Sequence, residues 1–108
     1  MKNNLNSRRK KVSVLGSTGS VGKNTLDLLN KSSDLYEVVA LTANTNAELI
    51  AKQARDHKAQ FVAIADEKQY PALKEALFGS KVEIGAGETG LIEAAVKTSD
   101  FVMSSIVK

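Results

Sequence analysis

Residues 12–22 read Val12-Ser13-Val14-Leu15-Gly16-Ser17-Thr18-Gly19-Ser20-Val21-Gly22. The run begins with short apolar and β-branched residues and stops at Gly16, which is typical of a buried strand entering a tight turn. From Ser20 onward, Val21, Leu28 and Leu29 recur at the spacing of one helical face. The stretch therefore predicts a strand, a glycine-rich turn and a helix in direct succession.

Further apolar runs predict strands along the rest of the chain, at residues 38–41, 61–64, 82–84 and 101–103, the last joined by 106–107. These runs are continuous rather than alternating, so we expect them to be buried on both faces of a parallel sheet. A helical pattern separates each strand from the next. The sequence thus predicts a doubly wound α/β fold, Rossmann-like, with about five strands in a mostly parallel sheet.

Each of the three later helices has its own signal. The second is predicted to open with Thr45 as its N-cap, with Glu48 three residues on completing a capping box. The third, over residues 73–77, carries Pro71 near its start, where a missing amide donor costs little. In the fourth, one face is predicted to consist of Leu91, Ile92, Ala95 and Val96.

The glycines of the first turn point to a phosphate site. Doubly wound sheets bind ligands outside the carboxyl ends of their strands, near the point where the strand order reverses. Gly16 is expected to turn the chain, Gly19 to let a pyrophosphate approach the backbone, and Gly22 to let the helix pack closely.

The predicted phosphate ligands come from the same turn. The amides of Ser20 and Val21 would point at the anion from a helix N-terminus, and the hydroxyls of Thr18 and Ser20 can add donors. The pyrophosphate site of a dinucleotide is therefore predicted at Gly16, Thr18, Gly19, Ser20 and Val21.

Two other phosphate motifs are weaker. Gly22-Lys23 is followed by Asn24, where a triphosphate-binding loop needs a hydroxyl for magnesium. Residues 85–90 match the literal G-x-G-x-x-G, but Glu88 in the following helical turn would repel a pyrophosphate. We interpret residues 85–90 as a structural glycine-rich turn capped by glutamate.

The residues after the second strand indicate which dinucleotide binds. Enzymes that select NAD place an acidic residue there for the ribose 2′-hydroxyl. Here the segment is Asn44-Thr45-Asn46, which is neutral and lies at a predicted helix N-terminus able to receive a 2′-phosphate. NADP is favoured, although the segment has no Arg or Lys to pair with that phosphate. If the Thr45 hydroxyl caps the helix, Asn44 and Asn46 are the better ligands.

Length and composition set the class of protein. The chain has 108 residues, no cysteine and a formal charge of +3, to which residues 8–11 alone contribute four positive charges. We expect a basic flexible arm over residues 1–11 and one domain over 12–108, which has no closing helix and looks cut from a longer chain. No run is long enough to cross a membrane. The absence of cysteine fits a reducing cytoplasm.

No catalytic constellation is evident. His57, the only histidine, falls at the end of the second predicted helix, away from the strand ends that would face a ligand. No carboxylate cluster has metal-ligand spacing, and the aromatic residues are too scattered for a nucleic-acid stacking platform. The sequence therefore predicts no catalytic residue, no metal site and no nucleic-acid partner in this chain.

Residues 12–22, followed by Asn24-Thr25-Leu26-Asp27, resemble the N-terminal stretch of the 1-deoxy-D-xylulose-5-phosphate reductoisomerases. Residues 38–46 and the closing Ser104-Ser105-Ile106-Val107 are similar to the same family. Family members often have Gly-Lys-Asn where this chain has Asn44-Thr45-Asn46. Lys108 stands where the family usually continues with glycine.

The resemblance implies the NADPH-binding portion of a cytoplasmic, homodimeric enzyme of non-mevalonate isoprenoid biosynthesis. Such an enzyme rearranges 1-deoxy-D-xylulose 5-phosphate and reduces it with NADPH to 2-C-methyl-D-erythritol 4-phosphate, using a divalent metal (Mg or Mn). The metal, substrate and catalytic residues would belong to later segments, so this chain alone is expected to be inactive. The alternatives are another NADP-dependent enzyme, such as a semialdehyde dehydrogenase, or a non-catalytic nucleotide-binding module whose basic arm docks a polyanion.

Overall fold

The computed structural model describes residues 9–97 and 99–104, which form alternating strands and helices. The strands are β1 (Lys10–Leu15), β2 (Tyr36–Ala43), β3 (Phe61–Ile64), β4 (Glu83–Ala86) and β5 (Phe101–Ser104). The helices are α1 (Ser20–Lys31), α2 (Ala47–His57), α3 (Tyr70–Ala76) and α4 (Gly87–Val96), with a 3-10 turn at Glu67–Gln69 before α3. No helix among the described residues has the length and apolar character needed to cross a membrane.

All five strands belong to one sheet in the order β4-β3-β2-β1-β5, and every neighbouring pair is parallel. The chain builds outward from β1 to β4 and then returns to the other side of β1 with β5. The strand order therefore reverses at β1, and the carboxyl end of β1 is the topological switch point of the sheet. The predicted doubly wound, Rossmann-like fold is confirmed.

The core lies in two layers, one on each face of the sheet. Helices α1, α2 and α3 bury apolar side chains such as Leu26, Ile50 and Leu73 against one face. Helix α4 covers the other face, where Ala94 packs beside Phe61. Strand β3 is buried along its whole length, as its continuous apolar run predicts.

The predicted inward face of α1 is wrong for two of its three residues. Val21 and Leu28 are 49% and 65% exposed, whereas the buried residues are Gly22, Leu26 and Leu29. The physical reason is the glycine. Because Gly22 has no side chain, its face of the helix can approach the β1–α1 turn most closely, and that contact sets the rotation of α1.

The predicted face of α4 is wrong for a similar reason. Ile92 and Val96 are 57% and 73% exposed, and Ala95 is exposed too, so that of the predicted face only Leu91 packs inward. The buried residues are Gly87, Gly90 and Ala94. Because these residues are small, they let the helix axis lie close to the sheet. This close packing determines which face of α4 points inward, although larger apolar side chains lie on the exposed face.

The first strand begins two residues earlier than predicted, at Lys10, so Lys10 and Lys11 belong to the sheet rather than to an arm. Arg9 already makes contacts, because its guanidinium donates to the Ser33 carbonyl at 3.0 Å and lies 3.8 Å from Glu37. Residues 1–8, which carry the rest of the predicted arm, lie outside the described residues. So do residues 105–108, including the predicted strand segment at 106–107.

Candidate phosphate-binding site

The turn from β1 to α1 lies at the switch point of the sheet and begins with a conformation that favours glycine. Gly16 has φ of +78°, in the left-handed region that side chains with a Cβ rarely adopt. Its amide donates to the Thr42 hydroxyl at 2.9 Å, which ties the turn to the end of β2. The prediction that Gly16 turns the chain is confirmed.

Gly22 is required by packing. A Cβ on this residue would lie 2.6 Å from Ser17 Cα and closer still to the Gly16 carbonyl oxygen. Both neighbours are backbone atoms of the turn, so they cannot rotate out of the way. The first turn of α1 therefore packs directly on the loop that precedes it, as predicted for Gly22.

Gly19 differs from the other two glycines because nothing in the described structure requires it. Its φ of −76° and ψ of 171° are open to any residue. A Cβ there would meet only the Gly16 carbonyl oxygen, at an ordinary contact distance of 3.7 Å. The side of Gly19 where a Cβ would stand is therefore open, at the edge of the sheet where ligands of this fold bind.

The start of α1 offers hydrogen-bond donors at the same place. Gly19 is the N-cap residue of α1 and has no side chain to accept from the amides of the first turn. The first turn also contains no acidic residue. Among the described residues, the amides of Ser20 and Val21 and the hydroxyls of Thr18 and Ser20 have no acceptor. Unpaired amides and the helix dipole together favour an anion at this position.

The segment 44–46 follows β2, which pairs in parallel with β1, so it lies at the same edge of the sheet. The predicted cap at Thr45 is wrong. Asn46 is the N-cap of α2, and its Oδ1 accepts from the Leu49 amide at 3.1 Å. Asparagine is as good a cap as threonine, and the helix begins one residue later than the capping box predicts. The Thr45 hydroxyl is left exposed to solvent.

Loss of the capping side chain of Asn46 is expected to lower the stability of the protein. We expect Asn46→Ala to lower the free energy of unfolding by about 1 kcal/mol, because the Leu49 amide loses its acceptor. Thr45→Ala should change the stability by much less. Urea unfolding of both variants checks the assignment. A larger loss of stability for Thr45→Ala than for Asn46→Ala would show that Thr45 is the N-cap.

The second glycine cluster is not a turn. Gly85 and Ala86 complete β4, and α4 begins at the next residue, Gly87. The predicted glutamate cap is also wrong, because the N-cap is Ala86, which makes no side-chain hydrogen bond. A Cβ on Gly87 would collide with the carboxylate of Glu67, so an acidic group already occupies the space beside this helix start. Glu88 adds a second carboxylate in the first turn.

Among the residues that the structure describes, titratable groups do not gather at the β1–α1 loop. His57 ends α2 at the opposite edge of the sheet and is partly buried, and this burial is the main cause that lowers its pKa, partly opposed by Asp56. On the exposed surface, the hydrogen bond from Lys52 lowers the pKa of the Asp56 carboxyl. Within residues 9–97 and 99–104, no group of three or more His, Cys, Asp or Glu side chains could hold a metal.

Sequence reasoning missed the polar residues that lie behind the loop. Ser17, Thr42 and Gln53 are all buried and are joined by hydrogen bonds. Gln53 lies in the middle of α2, far along the chain from the glycines. A glutamine on the inward side of an otherwise apolar helical face was the only signal that could have identified it.

The profile of the 1-deoxy-D-xylulose 5-phosphate reductoisomerases matches residues 12–108. The chain belongs to this family. The family match excludes the alternative that this chain is part of a semialdehyde dehydrogenase.

Individual reductoisomerases are similar over most of this chain. The one from Bradyrhizobium diazoefficiens is 50% identical over 95 residues, or 88% of this chain and 23% of the relative. The one from Zymomonas mobilis is 46% identical over 101 residues, or 94% of this chain and 26% of the relative. This chain therefore spans about a quarter of the length of these curated relatives.

Solved reductoisomerases share the fold. The Zymomonas mobilis enzyme in complex with NADPH superposes with a TM-score of 0.89 at 46% identity, over 93% of this chain and 26% of that one. A reductoisomerase in complex with NADPH, fosmidomycin and magnesium gives a TM-score of 0.84 at 26% identity, over 90% of this chain and 24% of that one.

Proposed function

We propose that this chain is the NADPH-binding portion of a 1-deoxy-D-xylulose 5-phosphate reductoisomerase, with the cofactor pyrophosphate at the β1–α1 loop. The observation that carries the proposal is Gly19. The fold requires glycine at 16 and 22 but not at 19, where a Cβ would project into open space beside the first turn of α1. The N-cap position accepts Ser, Thr, Asp or Asn at least as well as glycine, so the cap does not require glycine either, and close approach of a phosphate gives a physical reason for it.

In this site Gly16 shapes the turn, Gly19 admits the pyrophosphate, and the amides of Ser20 and Val21 donate to it. The hydroxyls of Thr18 and Ser20 supply further donors. The absence of an acidic side chain from the first turn of α1 supports an anion there, whereas Glu67 and Glu88 oppose one at the start of α4. NADPH bound here would supply the hydride for reduction.

The adenosine end of the cofactor would lie at residues 44–46. Oδ1 of Asn46 is occupied by the helix cap. The side-chain donors left for a 2′-phosphate are therefore Nδ2 of Asn46, the Thr45 hydroxyl and the Asn44 side chain. All three residues are exposed and neutral. Neutral donors at the start of α2 favour NADPH over NADH.

Asn46→Asp tests the 2′-phosphate site. Aspartate keeps the cap and suits the helix dipole, but it puts a negative charge where the 2′-phosphate would bind. We expect about tenfold or greater weakening of NADPH binding by calorimetry, with NADH binding little changed.

Asn46→Ser is the matched control, because serine keeps the cap without adding charge. If Asn46→Asp weakens NADPH and NADH binding equally, the preference for NADPH is unchanged. That result would show that the 2′-phosphate does not bind at this segment.

The complete protein would isomerise and reduce 1-deoxy-D-xylulose 5-phosphate in the cytoplasm as a homodimer. Its divalent metal and sugar-phosphate site would be held by segments other than those described here. The test is oxidation of NADPH by the complete gene product, followed at 340 nm. Oxidation that depends on both the sugar phosphate and Mg²⁺ or Mn²⁺ supports the proposal, and no oxidation with both present would contradict it.

A further inference from the structure

A buried polar pair connects α2 to the phosphate loop. Ser17 is fully buried and Gln53 is 7% exposed. The Ser17 hydroxyl donates to Gln53 Oε1 at 2.7 Å, and Gln53 Nε2 donates to the Ser17 carbonyl oxygen at 2.9 Å. A carbonyl can only accept, so the amide must direct its nitrogen at the carbonyl and its oxygen at the hydroxyl. One side chain thus fixes both the side chain and the backbone of Ser17.

The loop is also held by β2. The Ser17 amide donates to the Thr42 carbonyl at 2.8 Å, and the Gly16 amide donates to the Thr42 hydroxyl at 2.9 Å. Ser17 is therefore fixed by β2 through its amide and by α2 through its carbonyl and hydroxyl, the hydroxyl being closer to Gln53 Oε1 (2.7 Å) than to the Thr42 carbonyl oxygen (3.4 Å). The next two residues in the chain are Thr18 and Gly19, at which the phosphates are proposed to bind.

These contacts lie behind the loop, away from the open side of Gly19. Because Ser17 and Gln53 are buried among protein atoms, neither presents its bonded polar groups to a ligand. Their effect on a ligand must pass through the conformation of the loop. A loop that is already ordered spares a ligand the entropic cost of fixing it on binding.

We propose that Gln53 is a positioning residue for the cofactor, which holds the phosphate loop in its binding conformation through Ser17. The inference rests on the proposed NADPH site and deepens it. Gln53 lies seven residues after Asn46 on α2, a rise of about 10 Å along the helix. The same helix therefore presents the proposed 2′-phosphate donors at its start and fixes the pyrophosphate loop from its middle.

The test is Gln53→Met in the complete gene product. Methionine keeps the length and volume of the side chain but makes neither bond to Ser17. We expect NADPH and NADH to bind about tenfold more weakly, by the same factor, because both carry the pyrophosphate. The KM for NADPH should rise equally, with kcat at saturating cofactor unchanged.

Lys52→Met is the matched control, because Lys52 is the neighbouring residue on α2 and its exposed ammonium pairs only with Asp56 in the described structure. It should leave both affinities as they are. Ser17→Ala is the second variant, since it removes the hydroxyl bond alone and keeps the backbone bond from Gln53. It should weaken both cofactors by a smaller factor than Gln53→Met.

The outcomes separate the two proposals. If the unmodified protein does not bind NADPH, the proposed function fails and the positioning role fails with it. If the unmodified protein binds but Gln53→Met binds equally well, the positioning role alone is wrong. A fall in kcat at saturating NADPH, with the KM unchanged, would also contradict it. If Gln53→Met does not fold, Ser17→Ala decides by the same criteria.

Discussion

Gly19→Asp is expected to abolish NADPH binding while leaving the domain folded. The backbone at Gly19 has φ of −76° and ψ of 171°, and an added Cβ would meet only the Gly16 carbonyl oxygen at 3.7 Å. Aspartate is a favourable N-cap residue, so its carboxylate would accept from the amides of the first turn and stabilise α1 by a few tenths of a kcal/mol. The same amides are the proposed pyrophosphate ligands.

The loss of binding has two physical causes. The carboxylate competes for the donors of Ser20 and Val21, and its charge repels the pyrophosphate. Two like charges about 4 Å apart near a protein surface repel by about 4 kcal/mol, which corresponds to roughly a thousandfold in affinity. Calorimetry with NADPH measures the loss, and thermal melting checks the fold. NADPH affinity within a few-fold of the unmodified protein would show that the pyrophosphate binds elsewhere.

Gly22→Ala is expected to have the opposite profile, with the main loss in stability. Helix propensity alone would make alanine about 1 kcal/mol better than glycine inside α1. However, the new methyl group would lie 2.6 Å from Ser17 Cα and 2.8 Å from the Ser17 carbonyl carbon. To relieve these contacts, the helix must move away from the loop, at a cost of about 3 kcal/mol, so we expect a net loss of about 2 kcal/mol in the free energy of unfolding.

Gly19→Ala is the matched control for Gly22→Ala, because it adds the same methyl group to the same loop without a clash. Urea unfolding of the two variants should give a clear loss for Gly22→Ala and a smaller loss, below about 1 kcal/mol, for Gly19→Ala, because alanine is a poorer N-cap than glycine. A Gly22→Ala variant as stable as the unmodified protein would mean that the close packing of α1 on the loop contributes little.

The sheet and its switch point follow from sequence because their signals are local. The run at residues 12–15 is apolar and is broken by Gly16, and a helical pattern separates every predicted strand from the next. Parallel strands in this arrangement allow few topologies, and the first turn is the favoured ligand site in most of them. The roles of Gly16 and Gly22 could be predicted for the same reason, since each depends on a turn and a helix that lie next to it in sequence, whereas the role of Gly19 stays a prediction.

The helix faces and the cap of α2 could not be predicted, because tertiary contacts decide them. In α1, the apolar pattern allows either Val21 and Leu28 or Leu26 and Leu29 to face inward, and the contact at Gly22 selects the second pair. At the start of α2, Thr45 and Asn46 are both good caps, and the structure chooses Asn46.

The partners of Ser17 were also beyond local reasoning. Gln53 is 36 residues from Ser17, and no spacing rule connects a glutamine in one helix to a serine in an earlier turn. Only the packing of α2 beside the β1–α1 loop brings the amide to the serine. The residues that shape the loop could thus be predicted, and the residue that holds it could not.

The most direct test is to follow the backbone amides of the protein by NMR while NADPH is added. The chain has two glycine-containing helix starts that are candidate pyrophosphate sites, residues 16–22 and residues 85–90. The amides of Gly19, Ser20 and Val21 are predicted to shift on titration, with Gly85, Gly87 and Gly90 unchanged. Shifts confined to residues 85–90, or no shift at residues 19–21 at saturating NADPH, would contradict the phosphate site.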